Sequence, residues 1–166
     1  MFYKMIENKC NEWYSSERCT VRNLIEYIEK TGQMRDAQIE AIKVYLFLKI
    51  GCECKPLEFL FRYGCFNSIN LNDIELSTAT REYLEENPAA TALFEYSRLT
   101  NDKGEQVSEK LEKQIKKDPS SIDYDVFFRT AFYGVSYTDY LFSLPMGAGK
   151  TYLMAAFIYL DLYFAY

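Results

Sequence analysis

Asp139-Tyr-Leu-Phe-Ser-Leu-Pro-Met-Gly-Ala-Gly-Lys-Thr151, continued by Tyr-Leu-Met-Ala-Ala-Phe-Ile-Tyr-Leu-Asp-Leu-Tyr163, is the stretch whose reading decides the fold. Tyr140 to Leu144 is an apolar run of strand length. Pro145, Met146, Gly147, Ala148 and Gly149 form a glycine turn, and Lys150 and Thr151 open an apolar helical run. Strand, glycine loop, Lys-Thr and helix are the parts of a phosphate-binding P-loop. Triphosphates need several donors converging at close range. Gly147 and Gly149 allow positive φ, which brings backbone N–H groups against phosphate oxygens. A helix starting near Lys150 points its positive dipole end at the same anion. Lys150 is expected to reach the β- and γ-phosphates of ATP, and the Thr151 hydroxyl to ligate Mg²⁺; these two are the catalytic candidates.

The strict pattern begins with Gly, and its first position falls on Leu144. A Gly-rich turn with an incidental Lys is the plainer alternative. However, Leu144-Pro-Met-Gly-Ala-Gly-Lys-Thr151 resembles motif I of superfamily 2 helicases and translocases, where the position of Leu144 varies. A second resemblance lies upstream. Met34-Arg-Asp-Ala-Gln-Ile-Glu-Ala-Ile42 is similar to the Leu-Arg-x-x-Gln-x-x-Ala-Ile pattern that precedes motif I in those motors. The resemblance implies that Gln38, with Arg35, selects adenine. A side-chain amide carries the donor and the acceptor side by side that the adenine edge requires.

The chain as a whole resembles the N-terminal region of large bacterial DEAD/DEAH-box-like proteins of the type III restriction-subunit family. That resemblance implies ATP-driven translocation or unwinding of DNA, in restriction–modification, by the full protein. It supplies no nuclease residues. One departure is plain: more than a hundred residues separate Gln38 from Gly147, whereas compact members keep a few tens.

The expected architecture is therefore mainly α, with the start of an α/β RecA-like P-loop domain. N-terminal helices occupy 1–33, with Thr20 capping a helix over 21–31 and Gly32 ending it. The adenine-motif helix covers 34–50, where Ile39, Ile42, Leu46 and Ile50 share a face. A helical insertion fills 51–135. Its helices are expected near 56–63, 77–86, 89–99, 105–117 and 124–132, and Asn87-Pro88 breaks the second from the third. The first strand, P-loop and helix occupy 136–166. Phe127, Phe128, Phe132, Tyr133, Tyr137 and Tyr140 read as core aromatics. Lys110, Lys113, Lys116 and Lys117 read as a solvated face paired with Glu109 and Glu112.

Composition sets the outer bounds. The 166 residues suffice for a sizeable core. A net charge of −5 argues against coating nucleic acid through bulk electrostatics. The absence of histidine excludes His-based triads and His acid–base chemistry. Five irregularly spaced cysteines point to reduced thiols in a cytoplasm, and Cys52, Cys54 and Cys65 lack the spacing of a zinc site. The most apolar segment, 152–166, contains Asp161 and is too short to span a bilayer, so no membrane partner is expected.

A motor also needs an Asp-Glu strand and a second lobe carrying arginine fingers. The expectation is an N-terminal portion of a longer protein that binds ATP weakly without turnover. Its partners are DNA and the remaining motor domains. The rival from another class is a helical protein-interaction module whose P-loop is vestigial or completed in trans. A P-loop kinase-like phosphotransferase is a third reading, and it lacks catalytic residues after the loop.

Overall fold

The computed structural model describes residues 2–101, 103–134, 140–143 and 147–165. Among them the chain is mainly helical and none lies in a strand. The chain forms two compact units: Met1–Lys9 with Lys55–Asp139, and Cys10–Cys54 with Tyr140–Tyr166.

The first unit takes the start of α1 (Phe2–Ser15), then α4 (Leu57–Arg62), α5 (Thr78–Glu86), α6 (Pro88–Arg98), α7 (Glu109–Lys117) and α8 (Tyr124–Ala131). Four of these helix starts have a local cause. Pro88 opens α6, where its missing N–H costs nothing and its φ is already helical. The side chains of Ser77, Ser108 and Asp123 accept the N–H groups of Thr80, Leu111 and Val126, capping α5, α7 and α8. The expected helix over 105–117 thus begins four residues late. Before Ser108 the chain is held in a turn, with Thr100 and Gln106 bridged antiparallel.

An aromatic cluster fills this unit. Phe61 is fully buried, with the rings of Phe2, Phe66 and Phe132 centred 4.8, 4.8 and 5.3 Å away, and Phe2 stacks on Tyr96 at 4.0 Å. These are offset and tilted geometries in which ring quadrupoles attract. Phe128 belongs to the same core, as expected. Tyr133 does not: it is 91% exposed, at φ 59° beyond the end of α8, where the chain has turned away from the core. Tyr137 lies outside the described residues. Lys113 pairs with Glu109 at 3.2 Å on the solvated face expected of α7, whereas Glu112, paired with Lys116 at 2.9 Å, is largely covered and also accepts from Arg98 and Gln106.

The second unit packs α2 (Arg22–Thr31), α3 (Asp36–Leu46) and α9 (Lys150–Ala165) with the end of α1. α2 starts after Val21 without a side-chain cap, so Thr20 does not have the expected role. Gly32 ends α2 in a right-handed conformation, and the left-handed residue is Gln33 at φ 48°. α3 runs on as a π-turn, Phe47–Gly51, in which the Phe47 carbonyl accepts the Cys52 N–H at 2.9 Å. Gly51 is required there. A Cβ would stand 2.9 Å from the Phe47 ring and 3.1 Å from Trp13 Nε1.

Tyr140–Ser143 carry no strand pairing, and Leu144 is outside the described residues. A strand exists only through the hydrogen bonds of a neighbour. Among the described residues no second strand offers them.

Candidate functional site

The second unit brings the two sequence motifs together. α3 carries Arg35 at its N-cap and Gln38 three residues on. Gln38 is only 4% exposed. Its Oε1 accepts the Arg35 backbone N–H at 2.9 Å, so the amide closes the open end of its own helix. Its Nε2 donates to the Gly149 carbonyl at 3.0 Å, across 111 residues of sequence. The Arg35 guanidinium donates to the Gly147 carbonyl. The same pair of residues therefore grips the glycine loop by two carbonyls.

The loop has the backbone its glycines permit. Gly147 and Gly149 stand at φ 77° and 73°. Few side chains tolerate either value. At Gly149 sterics add to torsion, because a Cβ would lie 2.6 Å from Gln38 Nε2. Ala148 between them is buried. Lys150 and Thr151 then head a 16-residue helix, and both are exposed. The first N–H groups of any α-helix have no partner within it. Two left-handed glycines, a lysine, a hydroxyl and a helix N-terminus thus meet at one place, a donor-rich site suited to an anion. Pro145 and Met146, the remaining loop candidates, lie outside the described residues.

α9 is held at its far end by a clamp that sequence reading missed. The hydroxyl of Tyr45 and the ammonium of Lys49 both donate to Asp161 Oδ1. Lys49 is the first cause, and Tyr45 the second, that holds the Asp161 carboxyl below the usual range. Burial, and then the Asp161 carboxylate, push the Tyr45 phenol upward. The Tyr45 ring also stacks on Phe157 at 4.5 Å. The one signal in the sequence was Asp161 itself, the single charge in the apolar run after Lys150. At the near end, Tyr152 Oη donates to the Gly32 carbonyl at 3.0 Å.

Apart from these fixings much of α9 is exposed. Leu153 and Leu160 are buried, whereas Tyr152, Met154, Ile158, Tyr159, Leu162 and Tyr163 are each more than half exposed. A helix apolar on all sides is ordinarily covered on all sides. No helix among the described residues is long and apolar enough to cross a membrane. Comparison with protein-family models, with curated proteins and with solved structures brought no match.

Proposed function

We propose that the loop at Gly147–Thr151 binds the phosphates of ATP with Mg²⁺, and that the chain serves an ATP-driven DNA helicase or translocase together with further motor domains. The observation that carries this reading is the double grip of Arg35 and Gln38 on the carbonyls of Gly147 and Gly149. These bonds join two stretches more than a hundred residues apart in sequence, which supports reading them as parts of one site. In this reading Lys150 neutralises the phosphates, and Thr151 supplies an oxygen to Mg²⁺. Arg35 and Gln38 hold the loop open for them. For Gln38 to read an adenine edge as well, its inward-facing amide must turn, because both its oxygen and its nitrogen already have partners.

The test is thermal stabilisation of the chain by Mg-ATP. Stabilisation grows as the logarithm of ligand over Kd, about 2.7 kcal/mol at a hundredfold excess. Lys150→Ala is expected to abolish it without changing the unliganded Tm, since Lys150 is exposed. Equal stabilisation of wild type and Lys150→Ala would refute the reading.

A second reading is favoured by the uncovered apolar side of α9. It makes the chain a helical docking module, with the loop serving only to turn the backbone into α9. In that case Mg-ATP changes no Tm, and Met154→Glu or Ile158→Glu removes partner binding while the fold persists.

A further inference from the structure

α2 and α9 face each other across a cavity of about 240 Å³. On α9 it is lined by residues 152, 155, 156, 159, 160 and 163, a single helical face at spacings of three and four. On α2 it is lined by Leu24, Tyr27 and Ile28, again one face, and Met34 closes the side toward α3. The hollow has a simple origin. Ala155 and Ala156 stand where larger side chains would fill the space against α2, while tyrosines stand above and below them. The result is an aromatic slot in which no charged residue takes part.

We infer that this slot receives the base of the nucleotide whose phosphates lie at Gly147–Thr151, held by stacking and apolar contact. The inference rests on the phosphate-binding reading above and assigns the half of the ligand which that reading leaves unplaced. Three observations converge on it. The first wall of the slot on α9 is Tyr152. Tyr152 lies two residues past Lys150, its hydroxyl tied to the Gly32 carbonyl at 3.0 Å. Ala155 and Ala156 lie five and six residues past Lys150, roughly 8 Å along the axis at 1.5 Å per residue. A nucleoside diphosphate or triphosphate spans such a distance between its phosphate chain and its base. The chemistry of the walls suits a flat ring with a polar rim. Tyr27 and Tyr159 are 64% and 67% exposed and offer large faces with a hydroxyl at the edge. Finally, Gln38, the residue best suited to read a base edge, is buried and bonded on both its oxygen and its nitrogen. The slot, by contrast, is open and lined by exposed aromatic faces.

Stacking makes a further demand. Every base has a π-face, so a stacking slot without amide or charged groups distinguishes bases poorly. ATP and GTP are expected to bind within about threefold of each other, a small difference beside the roughly tenfold contribution of one stacked base.

The experiment is calorimetric titration of the full chain with Mg-ATP, Mg-GTP and Mg-tripolyphosphate, the last carrying phosphates without a base. Wild type is expected to bind both nucleotides at least tenfold more tightly than tripolyphosphate. Ala155→Trp, which fills the slot from an exposed position, should bring ATP down to the tripolyphosphate level and leave tripolyphosphate itself unchanged. Tyr27→Ala, at a second exposed wall, should weaken ATP in the same sense. Equal binding of ATP and tripolyphosphate by wild type overturns the slot and leaves the phosphate site standing. So does an ATP preference over GTP of tenfold or more that Gln38→Ala removes. No binding of any of the three, or binding indifferent to Lys150→Ala, overturns the phosphate site and the slot with it.

Discussion

Gln38→Ala probes the joint between the two motifs directly. The native amide makes one bond that caps α3, from Arg35 N–H at 2.9 Å, and one that holds the loop, to Gly149 O at 3.0 Å. Loss of a helix cap costs about 1 kcal/mol. Loss of a second hydrogen bond costs about 1 kcal/mol more, and the carbonyl left behind can be rehydrated because Gly149 is exposed. The expected loss is therefore about 2 kcal/mol, with a modest addition for the cavity. Gly149→Ala should cost a similar amount in the wild-type background. Roughly 1 kcal/mol comes from a left-handed φ, and the rest from a Cβ only 2.6 Å from Gln38 Nε2. In the Gln38→Ala background that second part disappears, since the atom it strikes is gone. The double variant should then be about 1 kcal/mol more stable than the sum of the single changes allows. Trp13, the only tryptophan, packs against Phe47 within the same unit, so its fluorescence during urea unfolding reports the relevant transition. At an m-value of about 2 kcal/mol per molar, each single change moves the midpoint by roughly 1 M. Additivity within about 0.3 kcal/mol would show that residues 38 and 149 do not touch, and the candidate site would lose its foundation.

Acid should loosen the chain through a small set of carboxylates. Asp161 is held low by Lys49 first and Tyr45 second, and Asp125 by Arg62; for Glu112 burial pulls upward but Lys116 and Gln106 outweigh it. A depressed folded-state pKa gives stability that is present above the unfolded value near 4 and lost as pH falls through the folded one. Tm should therefore fall modestly below about pH 4, and Asp161→Asn should shrink that fall while costing less than about 1 kcal/mol at pH 7, because the pair is partly exposed. In the other unit, buried Glu95 accepts the N–H groups of Ser68 and Ile69 at 2.8 and 3.1 Å. Glu95→Leu should cost about 2 kcal/mol by leaving those donors without their acceptor, and Glu95→Gln, which keeps an oxygen there, should restore part of it; equal urea midpoints for the two would count against that role.

Much of the helical layout was legible because its causes are local. The break at Asn87-Pro88 and the apolar spacing of α2 and α3 are read from a few neighbouring residues, although α6 begins at Pro88 itself. The late start of α7 depended on Ser108, whose hydroxyl caps better than anything at Glu105. Absence of a side-chain cap at Thr20 carries the same lesson in reverse: a residue able to cap does so only where the backbone turns at it. The site was legible in part. Composition of the loop singled out Gly147, Gly149 and Lys150, and the upstream pattern singled out Arg35 and Gln38. That Gln38 faces the loop and not solvent depends on contact across 111 residues, which no local pattern encodes. The strand expected at 140–144 is a different matter. Its apolar residues state a preference for burial, and burial does not specify a hydrogen-bonded neighbour.

The Asp161 clamp also orients α9 against the usual ordering of a surface helix. The only charge on the helix after Lys150 is tied to Lys49 and Tyr45, and much of the apolar surface is left exposed. Such a surface is kept apart from its like chiefly by the net charge of −5 spread over the chain. As acid brings the net charge to zero near pH 4.9, the repulsion between molecules vanishes while the adhesive side stays on display, and it returns with positive sign at lower pH. Colloidal behaviour, and not only folding, is thus tied to the rotational setting of one helix.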